Sequence, residues 1–165
     1  MSLEEGVLLV VHPIVVHFAI ALTFFGLVMD GLGSVRGRML FQQMGRACFL
    51  TGVAFLGLAV VSGWVEHLLP RPVSAFDEQM QDVLFWHEYC GYGLFALFFV
   101  LAVIRLRIQD RLPTVFMLLG ALGLFGLVIQ GYLGGELVYR YGAGVRAVHV
   151  LSEQLGEHAQ EKAPQ

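Results

Sequence analysis

Residues 13–32, PIVVHFAIALTFFGLVMDGL, form an apolar run long enough to cross about 30 Å of hydrocarbon as a helix. Three further runs match it, at 47–69, 83–106 and 115–133. Lipid supplies no partners for backbone N–H and C=O groups, so such runs must satisfy themselves internally as helices. Short connections between them predict an all-α fold, an antiparallel four-helix transmembrane bundle over residues 1–146, and residues 147–165 follow as an amphipathic segment and polar tail. The chain is 57% hydrophobic and only 14% charged, which excludes an ordinary soluble domain. The leading MSLEEG is acidic where a signal peptide needs positive charge, so the first run is expected to be retained.

Charge sets the expected orientation. Arg36, Arg38 and Arg46 follow the first run, and Arg105, Arg107 and Arg111 follow the third, against a single Asp110. The positive-inside rule makes both connections cytoplasmic and both termini periplasmic, in a bacterial inner membrane. Eleven of the 13 acidic residues then fall on the outer side. Cys48 starts the second run at the inner face and Cys90 lies near the outer end of the third, too far apart for a disulfide, and both read as small apolar residues.

None of the six histidines is placed on the cytoplasmic side: His12 and His17 open span one, His67 closes span two, His87 opens span three, and His149 and His158 follow span four. His12, just before Pro13, reads as a helix start, and His158 belongs to the polar tail. His17 and His87 are enclosed by apolar sequence, VVHFAI and LFWHEYCGY, where an ionisable group is a functional candidate. The chain also looks duplicated. His17 precedes Gly63-Trp64 by 46 positions and His87 precedes Gly131-Tyr132 by 44, with arginines at matching distances between. Two parallel repeats of a hairpin would share a pseudo-two-fold axis along the membrane normal, with His17 and His87 facing each other about it.

Facing histidines in a bundle suit the axial ligation of haem b. Gly91, one turn beyond His87, together with Gly63 and Gly135 would leave room for the macrocycle. The remaining outer polar residues His12, His67, His149 and Glu136 offer instead a transition-metal site or partners that orient ligating imidazoles. A quinone head group near the interface is a third use of the same chemistry. Gly134 and Gly135 predict a break at the membrane surface, after which Val145, Val148 and Leu155 form the stripe of an interfacial helix carrying His149.

The opening HPIVVHFAIAL, the histidine-containing start of span three and above all LGGELVYRYGAGV resemble the bacterial membrane proteins grouped as domain of unknown function 2231, over about residues 10–146. Carried over by position, the resemblance marks His12, Pro13, His17, His87, Gly134, Gly135, residues 137–139 and residues 142–145. It implies a redox setting, because members are found joined to or encoded near Rieske iron-sulfur or cytochrome c modules. Ala19 departs from the pattern, in which proline often follows His-Phe, and His67 and His149 lie outside the shared motifs.

The expectation is a b-type haem subunit with His17 and His87 as ligands, relaying electrons between the membrane and a periplasmic cytochrome c or Rieske protein. It would sit within a larger membrane complex or a homo-oligomer. The alternatives are a haem-free anchor or quinone-site subunit and a transition-metal binding protein. An electron-transfer or anchor subunit is favoured over an enzyme, since no nucleophile elbow, phosphate loop or HExxH motif occurs. No CxxCH motif occurs either, so any haem would be non-covalent. A net charge of −3 argues against nucleic acid.

Overall fold

The computed structural model describes residues 3–67, 77–108, 112–143 and 145. They form four helices, α1 (Leu3–Arg36), α2 (Met39–His67), α3 (Asp77–Arg107) and α4 (Thr114–Tyr139), with no strand among the described residues. Each contains a stretch long and apolar enough to cross a membrane: Val11–Arg36, Met39–Val65, Glu78–Arg107 and Thr114–Tyr139. The expected interfacial helix, with His149 and His158, lies outside the described residues.

Two helix ends differ from the sequence reading. Pro13 sits inside α1 rather than at its start, so His12 caps nothing. A proline costs one backbone hydrogen bond, and ten residues of helix precede it all the same. Gly134 and Gly135 do not break α4, which continues to Tyr139. The stop comes at Gly142, whose φ of 69° is left-handed, with the N–H groups of Gly142 and Ala143 donating to Val138 and Leu137. Gly37, at φ 65°, ends α1 in the same manner by donating to Gly33.

Neighbouring helices are antiparallel and run in the ring order α1, α2, α3, α4, leaving α1 and α3 as one diagonal. The α1–α2 hairpin is the tighter. Gly26 and Gly33 on α1, and Gly45 and Gly52 on α2, each lie so close to the opposite backbone that a Cβ would come within 3 Å of it. Both pairs are seven residues apart, two helical turns, and buried Ala19 and Ala59 extend the two rows by one more repeat. Small residues in this pattern let helices approach where lipid provides no hydrophobic drive for association. In the α3–α4 hairpin the glycines meet side chains instead, Gly123 under Phe98 and Gly126 under Leu94.

Between the hairpins lies an apolar middle layer of Leu27, Leu56, Leu101, Leu127 and three phenylalanines. Phe49 meets Phe98 and Phe116 edge-on, at ring-centroid distances of 6.2 and 5.9 Å. The outward surface carries Phe24, Leu118, Leu122, Phe125 and Val128, all exposed, as a lipid-facing surface requires.

Burial reveals the internal repeat and its register. Buried Thr23, Leu27 and Asp30 of α1 correspond to buried Phe98, Ala102 and Arg105 of α3, each 75 residues later. Buried Phe49, Gly52 and Leu56 of α2 correspond to Gly120, Gly123 and Leu127 of α4, each 71 residues later. In this register the counterpart of His87 is His12, and that of Gly134 is Gly63. The sequence reading had paired His87 with His17, five positions away.

Candidate functional site

The end of the bundle where α1 begins and α4 finishes holds two imidazoles in matching seats. A Cβ at Gly63 would stand 3.1 Å from His12 Cε1, and a Cβ at Gly134 would stand 3.1 Å from His87 Cε1. Each ring therefore turns its Cε1 edge toward a glycine of the partner helix that leaves it space.

Their hydrogen-bond partners differ. Ser62 Oγ donates to the Ala59 carbonyl, 3.0 Å away, so it accepts from His12 Nδ1–H at 2.8 Å. With the His12 proton on Nδ1, Nε2 is left as a lone pair. His87 is held from α4 by Gln130, whose Nε2 donates to the His87 carbonyl oxygen at 2.9 Å and stands 3.2 and 3.3 Å from the two ring nitrogens. Gln130 Oε1 is buried and has no partner among the described residues.

The other sequence-predicted residues are not drawn into this site. His17 is exposed on α1, and its Nδ1 donates at 2.6 Å to the Pro13 carbonyl of its own helix. Gly91 lies beside the Gln130 amide, whose nitrogen is 3.1 Å from where its Cβ would be. Gly135 faces Tyr139 on the next turn of α4. Glu136 accepts a 2.8 Å bond from exposed Arg140, which raises that guanidinium above its ordinary pKa, and both line an open groove with Tyr132 and Tyr139. His67 ends α2, and its side chain is outside the described residues, as is His149. Among the described residues no three His, Cys, Asp or Glu side chains gather as a metal site. Cys48 and Cys90 are free thiols.

At the opposite end the fold builds a second polar centre that the sequence reading did not identify. Arg105 of α3 donates through Nε to Asp30 Oδ2 at 2.9 Å and through Nη2 to Asp30 Oδ1 at 2.8 Å. Its remaining donors reach the Ile108 carbonyl at 2.8 Å and the Gln42 carbonyl at 3.0 Å. The side chains are 1% and 0% exposed, so Arg105 is not one of the surface charges it was counted among. The available signal was Asp30 itself, an acid inside an apolar run that must find a cation. Gln130, an amide in the otherwise apolar LFGLVIQGYLGG, was a similar signal.

Fold and composition together define a four-span helical membrane protein. The chain belongs to the family described as predicted membrane protein (DUF2231), whose model matches residues 9–147. No curated protein and no solved structure matches it.

Proposed function

We propose that this chain is a membrane-embedded electron-transfer subunit in which His12 and His87 hold a b-type haem. The observation that carries the reading is the pair of symmetry-related imidazoles at one end of the bundle, each seated against a glycine of the neighbouring helix. The donor set fits the group. His12 has its Nδ1 tied to Ser62, so Nε2 would be the ligating lone pair, the arrangement of an oriented ligand. For His87 the buried, unpartnered Gln130 oxygen is the acceptor that a ring N–H needs when the other nitrogen is a ligand. Turning that amide supplies it only if the 2.9 Å bond from Gln130 Nε2 to the His87 carbonyl is given up. Haem held there would supply reversible one-electron transfer.

On this reading the histidine end faces the periplasm of a bacterial inner membrane, because exposed Arg36, Arg38 and Arg107 mark the other end as cytoplasmic. A soluble cytochrome c or Rieske protein would exchange electrons at the histidine end, where Glu78 and Asp82 are exposed. A larger complex or homo-oligomer would bring that donor and the haem together.

A second reading has its own support. With the Gln130 amide as it stands, donating to the His87 ring, His87 presents an N–H and His12 a lone pair, while Gln130 Oε1 awaits a donor. One donor and two acceptors suit a quinol head group.

An absorption spectrum of the detergent-purified protein, oxidised and dithionite-reduced, separates the readings. The haem reading expects a Soret band with sharp reduced α and β bands, lost in His12→Ala and His87→Ala and kept in His17→Ala. Loss with His17→Ala and retention with His12→Ala would restore the His17–His87 pair. Colourless protein from haem-replete cells, with quinone in its lipid extract, would favour the quinol site.

A further inference from the structure

The internal repeat places the two ends of the bundle in a relation that neither shows alone. In the 75-residue register of α1 and α3, His12 is the counterpart of His87, and Asp30 is the counterpart of Arg105. Both pairs bridge the two hairpins. One pair is chemically identical and the other has opposite charge, buried to 0% and 1% exposure and joined by two bonds.

Each hairpin is the more tightly packed unit. Helices α1 and α2 share backbone contact along four glycines, and α3 packs chiefly on α4, whereas the faces that join the hairpins meet less extensively. Those joining faces are apolar and built alike, Leu27 on one and Ala102 on the other, Leu56 on one and Leu127 on the other. In lipid an apolar face does not discriminate between such similar partners, and the first hairpin could dock on a second copy of itself as readily as on the second hairpin. Charge removes that degeneracy. Two first hairpins docked by the same symmetry would oppose Asp30 with Asp30, and two second hairpins would oppose Arg105 with Arg105, each without a counter-ion in a low-dielectric interior.

We propose that the Asp30–Arg105 pair is the recognition element by which the face of each hairpin accepts the complementary hairpin and rejects its own kind. The partner this surface fits is a hairpin of the opposite buried charge, ordinarily the other half of the same chain. The placement of the arginine follows from the helix ends. Helix α3 stops at Arg107, so the carbonyl of Ile108 is beyond the helix and accepts from Arg105, whereas its counterpart in α1, the Gly33 carbonyl, already accepts from Gly37. The cation therefore belongs on α3 and the anion on α1.

The test uses the full chain in detergent, with thermal unfolding and light-scattering mass as readouts. Asp30→Arg and Arg105→Asp each place like charges at the joint, and each is expected to lose most of the monodisperse folded fraction. The double reversal, Asp30→Arg with Arg105→Asp, restores opposite charge and is expected to recover folded monomer above either single variant, though below the native chain because the Ile108 bond is lost. The two single-variant chains, carrying different tags and co-expressed, can satisfy both joints only by exchanging hairpins, so they are expected to co-purify as a one-to-one dimer. Single variants that behave like the native chain would overturn the proposal. So would a double reversal no better than the singles together with tagged chains that do not associate.

Discussion

At the scale of single residues, the site depends on what is missing. Gly63 and Gly134 are the floors on which His12 and His87 rest, and no longer side chain fits beneath a ring whose Cε1 is already 3.1 Å from an added Cβ. Gly134→Val is expected to push the His87 ring away and to destabilise the bundle by about 1–3 kcal/mol through overpacking. A lower unfolding temperature, together with loss of any haem absorption, would be the result. Which histidine faces inward is also a residue-scale matter, and the sequence hides it. His12 and His17 are five residues apart, so they point about 140° apart around the helix at 3.6 residues per turn. In a soluble helix the polar stripe would say which direction is outside. Here lipid and core are equally apolar, VVHFAI surrounds His17 with the same residue types that surround His12, and only the packing against Ser62 and Gly63 distinguishes them.

At the scale of elements, the four helices were legible because span-length apolar runs have one solution in lipid, whereas their ends were not. Pro13 and the Gly134-Gly135 pair are breakers in water, but α1 and α4 pass through them because neighbouring helices occupy the space and backbone partners are scarce outside the helix. The repeat was legible in outline through its arginines and Gly-aromatic endings, and its register was not, since burial rather than residue identity defines it. The α1–α2 hairpin makes a specific prediction at this scale. Gly52→Leu forces a side chain against the backbone of Thr23 and is expected to separate the helices, seen as a large drop in unfolding temperature in detergent. Gly93→Ala, which meets nothing within 4 Å, is expected to be neutral or to raise stability by about 0.5–1 kcal/mol through helix propensity.

At the scale of the whole molecule, the proposed orientation is tested by labelling. In a chain with Cys48→Ala and Cys90→Ala, Arg38→Cys is expected to react with a membrane-impermeant maleimide only after cells are opened, and Glu78→Cys in intact spheroplasts. The reverse pattern would invert the topology. The middle layer of Phe49, Phe98 and Phe116 has a further consequence for a protein in an energised membrane. His12 and Gly63 lie within two residues of the ends of their candidate spans, and the phenylalanine layer separates them from the Asp30–Arg105 centre. A charge arriving at His12 from its own side crosses only a small part of the hydrocarbon, and so performs little work against the transmembrane voltage. Chemistry at that end would run at nearly the same driving force in a respiring cell as in a de-energised one.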